Sequence, residues 1–177
     1  MRSARIEGTT EMGDTVSMEQ TGTIGWSDGP TGSLTLTYTG GTMAEALKQG
    51  GGDGSVRARY LQDEYYADMG EAFAATIGGK RWVRYAYQDL AELGGPAGDV
   101  LEERLSAAGV TTHTVDIWVG EDGLPLKKAE RGETAAGAFS STVFYSDYGT
   151  EVSVRKPPAG DTVDFKEILR QRAAGPS

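Results

Sequence analysis

The sequence predicts a strand-rich α+β domain, and three features of its 177 residues support that prediction. Apolar and polar residues alternate along most of the chain, which is the pattern of half-buried strands. The 26 glycines, together with many Thr and Ser residues, favour hairpins and turns over helices. The clearest helical periodicity is confined to one short segment, residues 98–109. The length suits one domain with its own core, which we place at residues 1–172, with a frayed tail at 173–177.

The first third of the chain predicts a three-stranded antiparallel meander. Alternation runs through residues 5–12, 15–26 and 33–39, and turn residues separate these three segments. One face of each segment is apolar, and the other face is rich in Thr. A meander of this kind packs its apolar face against a core and leaves the other face in water.

The middle of the chain mixes short helices with strands. Thr42 and Gly50 bound a predicted helix at residues 42–49, with Thr42 as its cap and Gly50 as its end. The following segments predict, in order, a hairpin at 56–61 and 64–68, a helix-like stretch at 70–79, and a strand at 80–88. The clearest helix, at residues 98–109, comes next.

The stretch VDIWVGEDGLPLKKAE, residues 115–130, predicts a β-hairpin with an acidic turn between glycines. The strands expected in this half of the chain lie at residues 110–119, 124–129, 138–146 and 151–155. Pro157 ends the sheet, because proline cannot donate a hydrogen bond to a strand ladder. A last amphipathic helix then has Phe165, Ile168 and Leu169 on one side.

Composition argues against several classes of function. The formal net charge of −9 argues against nucleic acid as a partner, because phosphate binding needs clustered Lys and Arg. A chain without cysteine has no disulfide, no Cys-ligated zinc and no thiol nucleophile. His113 is the only histidine, and Asp116 falls on the other face of the same predicted strand. We therefore predict no enzyme activity, metal or cofactor, with a hydrolase based on His113 as a remote alternative.

Basic pairs interrupt this acidic composition, each beside a predicted strand. They are Lys80-Arg81, Lys127-Lys128 and Arg155-Lys156. Their ordinary interpretation is solvation of strand ends. The sharper interpretation is a weak patch that faces a membrane.

The apolar face of the predicted sheet is its most informative surface. Its side chains are ordinarily interpreted as packed core. The alternative is a concavity between sheet and helices with room for a lipid-sized ligand. Aromatic residues with polar tips suit the mouth of such a pocket. The alternation of the strands places the candidate ligand-binding residues on this apolar face, and they are Ile24, Trp26, Leu36, Tyr38, Tyr60, Trp82, Ile117 and Tyr145.

Four strings of the sequence, in this order, resemble one protein family. They are GKRWVRYAYQDLAELGG, GVTTHTVDIWVGEDGLPLKKAERGET, FSSTVFYSDYGTEVSV and KPPAGDTVDF. In this combination the chain resembles actinobacterial surface lipoproteins of the Streptomyces type. These belong to the LolA-like superfamily, which includes the mycobacterial LppX and LprG proteins. The similarity extends over most of the chain.

The resemblance implies a half-open barrel, in which a strongly curved antiparallel β-sheet has short helices on its concave side. It implies that a hydrophobic, acylated ligand (a lipid or lipoprotein) is bound or carried between sheet and helices, without a cofactor. It also implies an extracytoplasmic protein, held on the outer face of the cell membrane by a lipid on an N-terminal cysteine. Because this chain has no cysteine, the resemblance implies that it is the soluble portion of such a protein.

The resemblance also implies a shortened member of that superfamily. Its members usually begin with a helix, and they have two further strands and helical cover between segments like LAELGG and GVTTHTVDIW. This sequence has only PAGDVLEERLSAA there. We therefore expect an unpaired sheet edge that is open to a protein partner or a second copy. The alternative function is a protein-interaction or signalling lipoprotein whose cavity is filled by its own side chains.

Overall fold

One open β-sheet dominates the computed structural model, which describes residues 2–89, 112–134 and 137–173. The strands of the described residues, in chain order, are β1 Ser3–Met12, β2 Val16–Gly25, β3 Thr31–Gly40, β4 Ser55–Tyr60, β5 Glu64–Asp68, β6 Trp82–Ala86, β7 Thr112–Val119, β8 Pro125–Thr134, β9 Gly137–Ser146 and β10 Thr162–Asp164. Their order across the sheet is β10-β6-β5-β4-β3-β2-β1-β9-β8-β7. The strand-rich α+β prediction is confirmed for this part of the chain.

Short helices accompany the sheet. Within the described ranges they are α1 Gly41–Gln49, α2 Gly70–Ala74 and α3 Phe165–Ala173, with a 3-10 turn at Ala159–Asp161. Residues 87–89, after β6, are also helical, so the predicted strand at 80–88 ends earlier than expected. The predicted helix at 98–109 lies outside the described residues, as do residues 174–177 of the expected tail.

The meander and the hairpin that the sequence predicted are both present. β1 pairs antiparallel with β2 and β2 with β3, so that Ile6 lies opposite Gly22 and Gln20 opposite Leu36. β7 pairs antiparallel with β8. Their turn is closed by a hydrogen bond of 2.8 Å from the amide of Gly120 to the carbonyl oxygen of Leu124.

Three predictions about individual elements are wrong. α1 begins after Gly40, in extended conformation, and no side chain caps it, so Thr42 is not its cap. Residues 151–158 form no strand. Pro157 does not end the sheet either, because the chain returns to it at β10, which pairs parallel with β6, whereas every other neighbouring pair is antiparallel. A parallel return requires a crossing segment, and residues 147–158 provide it.

The strand register divides the sheet into two faces. Leu36 lies opposite Val56, and Ala58, Ala67 and Val83 continue the same face across β4 to β6. We call this the apolar face. The residues between them in sequence form the charged face, which includes Thr35, Arg57, Asp68, Trp82 and Arg84.

A small hydrophobic core lies on the apolar face, near β10. It is centred on Val83, Val163 and Ile168, each at most 6% exposed. The partly buried side chains packed against it are Met69, Phe73, Ile77, Tyr85 and Phe165. Full burial of a side chain of this size stabilises a fold by about 2 kcal/mol. α2 and α3 are therefore held to the sheet through this cluster.

Candidate functional site

A pocket of about 430 Å³ opens on the apolar face over β3 to β6. Met43 and Leu47 of α1 contribute one wall, the strands contribute most of the rest, and Met69 and Tyr87 directly follow β5 and β6. Its lining residues are Leu36, Tyr38, Met43, Leu47, Val56, Ala58, Tyr60, Tyr65, Ala67, Met69, Tyr85 and Tyr87. None of these residues is charged. We call this site the tyrosine pocket, and its size lies within the range usual for small-molecule sites.

Cross-strand pairing positions the aromatic rings of the tyrosine pocket. Tyr60 lies opposite Tyr65, and Tyr65 lies opposite Tyr85, on adjacent antiparallel strands. The rings of Tyr65 and Tyr85 stack with centres 4.5 Å apart and planes 5° from parallel. Tyr60 extends the stack at 5.5 Å from Tyr65, and Phe165 of α3 lies 4.8 Å from Tyr85. Ring pairs at these distances stabilise one another beyond the burial of their area, so the stack forms a rigid wall.

The tyrosines of the pocket stay protonated well above neutral pH. Burial raises the pKa of Tyr65 to about 12, and its neighbours Tyr85 and Tyr60 add to the shift because a second phenolate nearby is unfavourable. Burial likewise raises the pKa of Tyr38, Tyr60, Tyr85 and Tyr87. The pocket is therefore electrically neutral, with apolar walls and phenol hydroxyl groups.

The structure brings three of the predicted candidate residues together. Leu36, Tyr38 and Tyr60 line the tyrosine pocket. Ile24 and Tyr145 lie on the apolar face, on β2 and β9, away from it.

The other three candidates lie elsewhere. Trp26 follows the end of β2, is 41% exposed and makes an edge contact with Tyr148. Ile117 is 57% exposed on β7. The expectation that Trp82 shares a face with Leu36 is wrong, because Trp82 pairs with Asp68 and belongs to the charged face.

Sequence reasoning missed several pocket residues for which the sequence holds a signal. Tyr85 alternates with Arg84 and Ala86 in β6, and Tyr87 directly follows that strand, but alternation alone does not say whether the face of Tyr85 or that of Trp82 lines a cavity. The pairing of Tyr85 with Tyr65 decides this. Met43 and Leu47 stand four residues apart in α1 and so share one side of that helix.

The charged face carries buried acids that are paired with arginines. Asp68 is 4% exposed, and its Oδ2 accepts hydrogen bonds from Arg57 at 2.6 Å and from Arg81 at 2.9 Å. Glu64 is 5% exposed and is bonded by Arg84, Lys156 and the Tyr66 hydroxyl. These bonds compensate the cost of burying two carboxylates in the sheet.

Partners on three segments keep Glu64 ionised. Burial alone would raise the pKa of this carboxyl group, but hydrogen bonds from Lys156, Arg84 and Tyr66 outweigh burial and lower the pKa to about 2. Lys156 belongs to the crossing segment and Arg84 to β6. Glu64 therefore ties the crossing segment to the sheet.

Comparison with known proteins gives two close relatives. The chain is 48% identical over 237 residues to an uncharacterized 31.2 kDa protein encoded in the rplA-rplJ intergenic region of Streptomyces griseus, covering 99% of this chain and 78% of that protein. It is 40% identical over 208 residues to a protein of Streptomyces coelicolor named "Putative lipoprotein", covering 97% of this chain and 73% of that protein. The chain belongs to this Streptomyces family. No protein-family model matches it, and no solved structure does.

Members of this Streptomyces family differ from the chain in internal length. The alignment with the S. griseus protein extends over 237 residues, whereas this chain has 177. That relative therefore has internal residues without a counterpart here.

His113, the base of the alternative hydrolase prediction, lies on β7, and its Nε2 is 3.7 Å from a carboxylate oxygen of Glu130. Asp116, on the other face of β7, forms an ion pair with Arg131 at 2.9 Å. Among the described residues, no group of three or more acidic, His or Cys side chains is arranged to hold a metal ion. None of the helices in those same ranges has the length and apolar character needed to cross a bilayer.

Proposed function

We propose that this chain is the extracytoplasmic domain of an envelope lipoprotein and that it binds a hydrophobic, acylated ligand in the tyrosine pocket. It acts by binding or carrying that ligand, without catalysis or a cofactor. In the full-length form an N-terminal lipid holds the protein on the outer face of the cell membrane. The name of the S. coelicolor relative supports the lipoprotein assignment.

The observation that carries the ligand proposal is the uncharged lining of the tyrosine pocket. In a chain with a net charge of −9, twelve residues meet around about 430 Å³ without one charged side chain. An apolar chain gains free energy on entering such a site at about 25 cal/mol for each Å² removed from water. The tyrosine hydroxyls add donors and acceptors for an uncharged oxygen, such as that of an ester.

Native mass spectrometry of the purified protein, followed by solvent extraction and lipid analysis, is the first test. We expect a co-purified acyl species, or uptake of one after incubation with membrane lipids. A bare mass that stays unchanged after that incubation argues against the proposal.

A pair of variants on β3 assigns the binding to one face. Leu36 lines the tyrosine pocket, and Thr35, next to it in the chain, faces the other side of the sheet. We expect Leu36→Asp to abolish uptake of a fluorescent fatty acid and Thr35→Asp to retain it. Met43→Glu, on the 42% exposed Met43 of α1, is a second variant that places a charge in the pocket without disturbing the sheet. Normal uptake by folded Leu36→Asp and Met43→Glu proteins would exclude this site.

A second candidate function, binding of a protein partner, is favoured by the hairpin of β7 and β8. Large apolar side chains are exposed on both faces of this region, and they are Val115, Ile117, Trp118, Val119, Leu126 and Phe144. β7 is the last strand of the sheet among the described residues. An exposed apolar edge strand is a template for pairing with another chain.

The oligomeric state tests this second candidate. Sedimentation of the protein over a wide range of concentrations should show self-association if β7 pairs with a second copy. Ile117→Lys should then restore a monomer, because a charge in the middle of an edge strand opposes pairing. A monomer at all concentrations, together with no cross-linked partner in the envelope, argues against it.

A further inference from the structure

A second pocket, of about 370 Å³, lies on the charged face, where the crossing segment passes over β3 and β4. Its lining residues are Ser33, Arg59, Ser153, Val154, Arg155 and Lys156. Three of these six side chains are cationic, two are hydroxyl groups, and none is acidic. We call it the basic pocket.

Arg59 is held in place by two contacts. Its guanidinium carbon lies 4.4 Å from the centre of the Trp82 ring, and Trp82 is only 6% exposed. One of its terminal nitrogens donates a hydrogen bond of 2.9 Å to the carbonyl oxygen of Arg155. A guanidinium fixed in this way keeps further N–H groups for a ligand and loses little entropy when it binds one. Ser33 lies directly opposite Arg59 on β3.

One acid beside the basic pocket, Glu64, already pairs with one of the pocket cations, Lys156. Glu64 is bonded by Lys156, by Arg84 and by the Tyr66 hydroxyl, and Arg84 also bonds Asp164 at 2.7 Å. The positive charges of Arg59 and Arg155 are therefore not balanced by a carboxylate of the pocket lining. This local excess of positive charge stands out against the net charge of −9.

We propose that the basic pocket binds a phosphate-type oxyanion, either the headgroup of an anionic lipid or a soluble phosphate ester. The two guanidinium groups of Arg59 and Arg155 suit an anion with several acceptor oxygens, and the two serines add hydroxyl donors, while the Lys156 ammonium is shared with Glu64. The proposal gives a function to the Arg155-Lys156 pair. It is independent of cargo in the tyrosine pocket, which lies on the opposite face of the sheet.

The test uses two arms that separate the sources of phosphate. In one arm, glycerol phosphate is titrated into the purified protein by calorimetry. In the other, the protein is sedimented with phosphatidylglycerol vesicles and, for comparison, with phosphatidylcholine vesicles. Binding in the first arm identifies a soluble ester as a ligand, and binding only to phosphatidylglycerol vesicles identifies a lipid headgroup. No binding in either arm overturns the proposal.

Matched variants separate the basic pocket from general surface charge. Arg155→Gln removes one pocket cation, and Arg131→Gln makes the same charge change on the same face of β8, with three strands between it and β3. We expect Arg155→Gln to weaken binding about tenfold or more, because a charge-assisted hydrogen bond is lost, and Arg131→Gln to leave it unchanged. Ser153→Asp, at an exposed position, should abolish binding by placing a negative charge in the pocket.

Equal losses in Arg155→Gln and Arg131→Gln would show that only diffuse charge attracts the anion, and would overturn the proposal. Leu36→Asp should leave phosphate binding intact whenever the protein is folded. The proposal for the basic pocket and the proposal for the tyrosine pocket can therefore fail separately.

Discussion

Glu64 shows how a single residue ties two distant parts of the chain together. Its carboxylate is buried in β5, yet it accepts hydrogen bonds from β6 and from the crossing segment. A buried carboxylate that loses one of several partners becomes costly, typically by a few kcal/mol. The folded position of residues 151–158 is therefore stabilised by this ionised group, together with the hydrogen bond from Arg59 to the carbonyl oxygen of Arg155.

The pH dependence of stability is the first prediction at this scale. The pKa of Glu64 is lowered from 4.5 to about 2, so the folded state favours its ionised form. Stability from this group is fully present above pH 4.5 and is lost as the pH falls through about 2, by about 3 kcal/mol at most. Urea unfolding measured across this window should show the loss. Glu64→Gln should be less stable at neutral pH and should lack this part of the acid dependence. An unchanged acid slope in Glu64→Gln would contradict the assignment.

Tyr65 gives the opposite dependence at high pH. Its pKa is raised from 10.0 to about 12, because burial and then the neighbouring tyrosines disfavour the phenolate. A raised pKa of this kind leaves stability intact below pH 10 and removes it as the pH rises through about 12. Tyr65→Phe should lose part of this alkaline dependence, measured by denaturant unfolding. Titration of tyrosine by ultraviolet absorbance should also show fewer late-titrating groups in the variant. An identical titration in both proteins would contradict the pocket geometry.

At the scale of elements, the tight junction between β3 and α1 requires glycine. Gly41 has a φ of 82°, and a Cβ there would lie 2.5 Å from the carbonyl oxygen of Thr15. Gly78 has a φ of 72°, with no atom within 4 Å of its Cβ position. We expect Gly41→Ala to lower the free energy of unfolding by about 2 kcal/mol more than Gly78→Ala, because only the first variant adds a clash to the shared backbone strain. Denaturant unfolding of both variants measures the difference, and equal losses would show that the clash is relieved.

The elements also show what sequence reasoning can and cannot predict. The hairpin at residues 115–130 was predictable, because local alternation and turn chemistry determine it. β10 was not, since a three-residue strand has too little alternation to recognise and its partner β6 is 80 residues away. The side of the sheet on which Trp82 lies was predicted wrongly for a related reason. Trp82 and Val83 are both hydrophobic neighbours, and only the pairing of β6 with β5 determines which of them faces the core.

At the scale of the whole molecule, the sequence indicated the class of fold and part of the site. Leu36, Tyr38 and Tyr60 could be chosen because they lie on strands with clear alternation. The aromatic wall could not, because Tyr65, Tyr85 and Phe165 meet only after three separate elements pack together. The basic pocket was equally hidden, since it arises where an irregular segment crosses the sheet.

Stability should be distributed unevenly across the sheet, and hydrogen exchange in the native state measures this distribution. Four of the five residues of β5 are buried, whereas all but one of those in β7 are exposed, and the hydrophobic core lies near β10. Local opening is easiest where few side chains are buried. We therefore expect the amides of β5 and β6 to exchange slowest and those of β7 to exchange fastest, at all protein concentrations where the chain is monomeric.

Protection of β7 that rises with protein concentration would instead indicate that a second copy pairs with this edge. Protection of β7 equal to that of β5 in a monomer would contradict the expectation, because an edge strand that is paired on one side only and exposed on both faces should open more easily than a buried one.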